Sequence, residues 1–223
     1  MSRRTSRLDE VESDVVNFDT EDVETALNEH KTRKEVFSWI RTFVIAIAIV
    51  LVLTQVVIIN ARVPSGSMEN TIMTGDRLIG LRLAYLKGEP KRGDIILFKY
   101  PVNESETYIK RVIGEAGDTI EITDGNIYIN GSETPFEEPY LKEEWLLNND
   151  GYVFHVPEDA VFVMGDNRNY SEDGRFWAEK AVMAGLADTQ KEAEPYSYVS
   201  YDKIQGKALF TYFRSFRSLM RTD

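Results

Sequence analysis

The residues best suited to chemistry in this chain are two serines in the segment Val63-Pro64-Ser65-Gly66-Ser67-Met68. A serine hydroxyl is a weak nucleophile until a neighbouring base takes its proton. The segment directly follows an apolar run long enough to cross a membrane, which predicts that the serines lie at a membrane surface. They would form a nucleophilic site there if the sequence also supplies a base.

The sequence offers few bases to partner a serine. It contains only two histidines, and His30 lies on the other side of the apolar run from Ser67. His155 stands between strand-like runs, where a partly exposed strand histidine is the simpler interpretation. Neither histidine is therefore a good candidate for the base of a Ser-His-Asp triad. Lysine is another known partner of serine, but only if its pKa is brought down from about 10.4 by burial or neighbouring charge.

Lys110 is the best candidate for that lysine. It alternates with Ile109 in a β-prone run that Gly and Asp turn signals close at 114–118. If this strand is buried, apolar surroundings favour the neutral amine, which is a base. Periodicity alone instead favours a solvated strand lysine beside Arg111, because charged residues in strands usually face water.

A third block decides between these interpretations. The loop Met164-Gly165-Asp166-Asn167-Arg168-Asn169-Tyr170-Ser171-Glu172-Asp173-Gly174-Arg175 follows a strand-like run, and alone it could be a surface loop held by Asx turns and ion pairs. With the other two blocks it resembles the type I signal peptidases, which are membrane-anchored serine proteases with a Ser-Lys dyad. The shared motifs are P-S-G-S-M, Y-I-K-R-V-I-G-x-x-G-D and G-D-N-R-N-x-S-x-D-x-R, in the family's order. The resemblance spans residues 40 to 213 or so.

The resemblance implies a role for each matching residue. Ser67 corresponds to the nucleophile and Lys110 to its general base. Ser65 corresponds to the serine whose hydroxyl joins the backbone N–H of Ser67 in the oxyanion hole, and Ser171 to the serine that orients the lysine. The supporting polar residues are Asp166, Asp173, Arg175 and Arg111. The chain departs from the family pattern at Gly174 and Ala178, neither of which belongs to the dyad.

Composition excludes several other classes of protein. The absence of cysteine rules out disulfides, thiolate nucleophiles and zinc-thiolate sites. The net charge of -11 argues against nucleic acid as a partner, because phosphate binding needs a basic surface. The sequence shows neither a P-loop nor a metal-ligand motif, so we expect no cofactor and no metal.

Hydropathy divides the chain into three parts. Residues 1–41 form an acidic tail that ends in a basic collar, residues 42–59 carry no charge and predict a transmembrane helix, and residues 60–223 form the catalytic domain. The positive-inside rule predicts a cytoplasmic N-terminus and an extracytoplasmic domain in the cell membrane. A cleavable signal sequence is the competing interpretation, but such sequences have short basic starts and shorter apolar regions.

The predicted fold class is mainly β, with antiparallel sheets forming the catalytic domain after one transmembrane helix. Asp124-Gly125 between two alternating runs predicts a two-residue hairpin, and the runs 95–98 and 152–155 predict further strands. Residues 179–203 are longer than the family's usual connection and predict a partly helical surface insert. The tail 213–221 fits either a membrane-surface helix or a frayed terminus.

The sequence as a whole predicts a membrane-bound serine endopeptidase that removes N-terminal signal peptides through an acyl-enzyme. The resemblance implies secretory preproteins with small residues before the cleavage site as partners, together with membrane lipid. Two alternatives are a catalytically silent, anchored peptide-binding protein and another Ser-Lys protease, such as a self-cleaving repressor-type protease. The anchor and the lack of an obvious DNA-binding segment count against the last.

Overall fold

The computed structural model describes residues 20–146, 149–212 and 216–220. The first nineteen residues of the predicted acidic tail lie outside this part of the chain. The chain divides into two compact units, residues 1–51 and 52–223.

Helix α1 runs over Thr20–Val52 and makes up the described part of the first unit, except that its last residue, Val52, belongs to the second unit. The chain then makes a π-helical turn at Leu53–Val57. The stretch Lys31–Val57 is long and apolar enough to cross a membrane. The predicted span of 42–59 differs from this helix at both ends. Ile59 leaves the helix because its side chain packs into the core of the second unit, where it is buried.

The second unit is mainly antiparallel β, as the sequence predicts. Its strands within the described residues are β1 Ile58–Arg62, β2 Arg77–Leu81, β3 Ile95–Tyr100, β4 Asn103–Gly114, β5 Thr119–Thr123, β6 Asn126–Ile129, β7 Tyr152–His155, β8 Ala160–Met164, β9 Val199–Ser200, β10 Ile204–Thr211 and β11 Arg217–Ser218. The larger sheet has the order β1-β2-β10-β3-β4-β8-β9, with β11 paired to β10, and the smaller sheet has the order β6-β5-β7.

The smaller sheet contains the predicted hairpin. Strands β5 and β6 pair in register around Asp124 and Gly125, whose φ angles are 50° and 69°. Two consecutive positive φ angles are typical of the type I′ turn that the Asp-Gly pair favours. The prediction of this turn is confirmed.

Strands β3 and β4 lie in the middle of the larger sheet and position Lys110. Ile96 is opposite Lys110 in the antiparallel register, so both side chains lie on the same face. That face carries an apolar cluster that includes Ile96, Val112 and Trp177. Lys110 is therefore held on a buried face of the sheet.

The predicted insert 179–203 is partly helical, as expected, but it is not confined to the surface. Helix α2, Trp177–Met183, overlaps its start, and helix α3, Gln190–Ala193, lies within it. Its strand β9 pairs with β8 and so extends the larger sheet. Ala181, Ala193 and Val199 are fully buried, because the segment packs against the sheet.

The described end of the tail is neither a helix nor frayed. Strand β11 pairs with β10, and the N–H of Leu219 donates to the carbonyl of Leu209 at 2.7 Å. The Leu219 side chain is buried in the same core cluster as Met68 and Ile72. The tail therefore packs under the turn that carries the predicted nucleophile.

Candidate active site

The serine segment forms a tight turn anchored by apolar side chains. Ser67 is buried, and its neighbour Met68 and the nearby Ile72 are 1% and 0% exposed in the core beneath it. The N–H of Ile72 donates to the carbonyl of Met68 at 2.8 Å. The hydroxyl oxygens of Ser65 and Ser67 lie 3.5 Å apart, with Ser65 exposed. The two predicted serines therefore share one turn, with the hydroxyl of Ser65 beside that of Ser67.

The loop that follows β8 is tied directly to this turn. The backbone N–H of Asn167 donates to the carbonyl of Ser67 at 3.0 Å, and its side-chain amide donates to the carbonyl of Gly66 at 2.9 Å. A Cβ on Gly165 would overlap both the Ser171 hydroxyl and the Ser67 carbonyl, so this position requires glycine. The sequence did not indicate this role of Asn167, because an Asn in a loop rich in Asx turns has many local uses.

Lys110 lies in the cavity that also contains the serine. Its side chain is only 4% exposed, and it lines a cavity of about 470 Å³ together with Ser65 and Ser67. Its ammonium nitrogen lies 5.5 Å from the ring centroid of Tyr108. Burial lowers the pKa of Lys110 to about 8, although the nearby carboxylate of Asp173 acts against this change. The lysine is therefore much more readily neutral than a solvated one.

Arg111 points away from the cavity and fixes the loop through Asp166. Its Nε and Nη2 atoms donate to the two carboxylate oxygens of Asp166 at 2.8 and 2.7 Å. Its Nη1 atom donates to the carbonyl of Gly93, and the hydroxyl of Thr71 also donates to Asp166. A bidentate pair of this kind fixes orientation as well as distance. The loop after β8 is thereby joined to β4 and to the serine turn.

Asp173 and Arg175 form a second bidentate pair that is almost completely buried. The Nε and Nη2 atoms of Arg175 donate to Asp173 at 2.8 and 3.0 Å, and the N–H of Gly165 donates to it at 3.0 Å. Burial opposes the charge on Asp173, but Arg175 outweighs burial and lowers the pKa of the carboxyl. Ser171 is buried beside Gly165. The contact between Ser171 and Lys110 that the resemblance implies stays a prediction.

The sequence analysis missed a segment, residues 138–146, that crosses over these loops and that we call the strap. Its Tyr140 ring lies 3.9 Å from the guanidinium carbon of Arg111, and its Trp145 ring lies 5.2 Å from that of Arg175. Lys142 pairs with Glu69 at 2.9 Å. The strap carries no catalytic motif, and its aromatic rings pair with Arg111 and Arg175 of other segments, so no local pattern in the sequence indicated it.

The other possible base lies elsewhere. His155 is exposed at the end of β7, where its Nδ1 atom lies 3.2 Å from the hydroxyl of Thr119. It does not line the cavity that contains Ser67 and Lys110. Among the described residues, no group of three or more His, Cys, Asp or Glu side chains could hold a metal ion.

Comparisons with known proteins agree with this geometry. The model of the family "Signal peptidase, peptidase S26" matches residues 36–213. The chain is 34% identical over 178 residues to a signal peptidase I of Leptolyngbya laminosa, covering 74% of this chain and 83% of that protein. It is 35% identical over 151 residues to a signal peptidase I of Bacillus licheniformis, covering 64% of this chain and 80% of that protein.

A solved structure also matches. It is a crystal structure of a signal peptidase I from Enterococcus faecalis V583, with 28% identity, a TM-score of 0.39 and coverage of 53% of this chain and 96% of that one. The family assignment rests on the sequence matches, which span all three motif blocks. On that evidence the chain belongs to the signal peptidase family, peptidase S26, and is a serine peptidase.

Proposed function

We propose that this chain is a membrane-anchored endopeptidase that removes N-terminal signal peptides from secretory preproteins, with Ser67 as the nucleophile and Lys110 as its base. One observation carries this proposal: a lysine that is only 4% exposed lines the same cavity as a buried serine. Burying a lysine is costly, and a task that needs the neutral amine explains why the chain keeps one here.

The first chemical step uses the neutral amine of Lys110. It takes the hydroxyl proton of Ser67 while the serine oxygen attacks the carbonyl carbon of the scissile bond. The negative charge that develops on the carbonyl oxygen is met by the Ser67 N–H and the Ser65 hydroxyl, as donors of an oxyanion hole. Lys110 then gives its proton to the leaving amine, which departs as the N-terminus of the mature protein.

The second step releases the signal peptide, which is held as an ester on Ser67. Lys110, again neutral, takes a proton from a water molecule as the water oxygen attacks the ester carbonyl. It then gives that proton to the departing Ser67 oxygen, which restores the serine hydroxyl and the neutral amine. The ion pairs Arg111–Asp166 and Arg175–Asp173 hold the surrounding loops in one geometry during both steps. Such positioning is worth a large share of the rate, because a small misplacement of reacting groups costs orders of magnitude.

The cavity suits a peptide with small side chains. Apolar residues supply much of its lining, namely Ala61, Val63, Pro64, Met68, Leu97 and Ile109. A volume of about 470 Å³ holds a short stretch of peptide with small side chains. We therefore assign the residues before the cleavage site, small and uncharged, to this cavity.

The helical stretch Lys31–Val57 supplies the anchor in this proposal. Its 27 residues would measure about 40 Å as an α-helix, which exceeds the roughly 30 Å of a bilayer's hydrocarbon core. Lys31, Arg33 and Lys34 at its start favour a cytoplasmic N-terminus under the positive-inside rule. The catalytic domain would then face the extracytoplasmic side, where exported preproteins emerge.

A cleavage assay with the full chain in detergent micelles tests the proposal. We expect a purified secretory preprotein to yield one new N-terminus, located after a small residue. Ser67→Ala and Lys110→Ala should abolish cleavage, and His155→Ala, outside the cavity, should retain it. Binding of the preprotein without any cleavage by the wild-type chain would instead indicate a silent peptide-binding protein.

A further inference from the structure

Glu172 lies in the active-site cavity but has no part in the steps above. Its carboxylate accepts a hydrogen bond from the hydroxyl of Tyr100 at 3.1 Å, and it pairs with Lys180 of helix α2, also at 3.1 Å. It lines the same cavity as Ser67 and Lys110. Its side chain is 41% exposed, so solvent reaches the carboxylate.

A short chain of contacts joins Glu172 to the lysine. The Tyr100 ring stacks on the Tyr108 ring at 4.3 Å with an interplanar angle of 4°. The Tyr108 ring in turn lies 5.5 Å from the ammonium nitrogen of Lys110. The two tyrosines lie in the central strands β3 and β4, so the sheet positions an aromatic pair that contacts the carboxylate through Tyr100 and the amine through Tyr108.

We propose that Glu172 is an electrostatic tuning residue that sets the protonation of Lys110, and that Lys180 attenuates its effect. This inference rests on the proposed role of Lys110 as the base. A carboxylate near an amine favours the ammonium form, so Glu172 acts against the neutral lysine. Lys180 offsets part of that negative charge and so favours the neutral lysine.

Other charged groups also face Lys110, and two of them are already committed to buried ion pairs. Asp173 is paired with Arg175 and Asp166 with Arg111, all of them buried. Glu106 lines the cavity and accepts a hydrogen bond from the side chain of Asn103. Glu172 differs from the two aspartates because its partner lysine is 45% exposed, and an exposed ion pair is loose and screened by salt.

The direction of each effect can be worked out. Glu172→Gln keeps an oxygen that accepts from Tyr100 but removes the charge, so the pKa of Lys110 falls and the acidic limb of activity moves to lower pH. Lys180→Gln leaves Glu172 without its cation, so the limb moves to higher pH. For charges several ångströms apart near a protein surface, we expect shifts of about 0.3 to 1 pH unit.

The experiment measures kcat/KM against pH for the full chain in detergent micelles, with a preprotein as substrate. Glu133→Gln and Lys87→Gln are the matched controls, because both side chains are exposed and outside the cavity lining. The acidic limb of kcat/KM should move to lower pH for Glu172→Gln and to higher pH for Lys180→Gln, and both shifts should be smaller in high salt. The controls should leave it in place.

Three results would count against the inference. The inference would be overturned, with the dyad left intact, if the acidic limb of kcat/KM lay at the same pH in all variants. It would also be overturned if Glu172→Gln and Lys180→Gln moved the limb in the same direction. A loss of kcat without movement of the limb would show that Glu172 is only structural. Failure of the dyad would look different, because the wild-type chain would then lack a limb near pH 8.

Discussion

Replacing Lys110 should stabilise the fold, and the size of the gain can be worked out. Burial lowers the pKa of Lys110 from 10.5 to about 8, and that change already includes the favourable effect of the nearby carboxylates. Each pKa unit corresponds to about 1.36 kcal/mol, so keeping this lysine charged in the folded state costs about 3 kcal/mol. Lys110→Met removes the charge and retains much of the side-chain volume.

The sign and the pH window of this effect follow from linkage. Below pH 8 the lysine is protonated in both the folded and the unfolded chain, so the full cost is present. Between about pH 8 and 10.5 only the unfolded chain binds the proton, and the stability of the wild-type fold therefore rises with pH. The advantage of Lys110→Met should be greatest at pH 7 and should vanish as the pH approaches 10.5.

The assay is thermal or denaturant unfolding in a Ser67→Ala background, which prevents self-cleavage. About 3 kcal/mol corresponds to a rise in Tm of roughly 6–12 °C for a chain of this size. Lys207→Met is a control of opposite sign, because Lys207 pairs with the buried Asp94 at 2.6 Å and its loss should destabilise the fold. A Lys110→Met variant that is no more stable at pH 7, or whose advantage persists at pH 10, would refute the reasoning.

Three further changes test the elements around the dyad. Ser65→Ala removes the proposed oxyanion-hole donor and should lower kcat about 10² to 10³-fold at similar KM; an unchanged kcat would restrict Ser65 to a role in the turn. Arg175→Met leaves the fully buried Asp173 without its partner and should cost about 3–5 kcal/mol of unfolding free energy in urea, whereas a small loss would contradict the burial of that pair. Asn70 has a φ of 90°, and its side-chain amide donates to two carbonyls of the strap, so Asn70→Ala should lower both the stability of the fold and kcat. Asn70→Gly also loses these hydrogen bonds but relieves the backbone strain, so it should lose less stability. Equal losses of stability in the two variants would argue against strain.

Local sequence rules predicted much of the sheet. The Asp124-Gly125 hairpin follows from the positive φ angles that a type I′ turn needs, and the run 152–155 matches β7 residue for residue. The apolar run 95–98 likewise marks the start of β3. In each case the residues themselves determine the local conformation.

The burial of Lys110 did not follow from such rules. Lys110 and Arg111 are adjacent in β4, and alternation predicts that one of the two faces water. Both are buried because β4 lies between β3 and β8 and because the loop after β8 supplies Asp166 for Arg111. Strand β8 and Asp166 lie about fifty positions further along the chain, so only the motif resemblance indicated this environment.

The end of the helix and the strap were unpredictable for a related reason. Hydropathy does not distinguish Ile58 and Ile59 from the helical residues before them, yet both join β1, because Ile59 fills the core of the domain. The strap has no periodic pattern, and its Tyr140 and Trp145 are placed by arginines of other segments. Tertiary contacts decide both features.

Trapping the acyl-enzyme tests the Ser67–Lys110 dyad most directly. The full chain in micelles would be mixed with a preprotein, quenched in acid within the first turnover, digested and analysed by mass spectrometry. We predict that the signal peptide is found as an ester on Ser67 in the wild-type chain, and that Lys110→Ala forms none. An active enzyme whose ester lies on another residue, or a Lys110→Ala variant that still acylates Ser67 at the wild-type rate, would contradict the dyad.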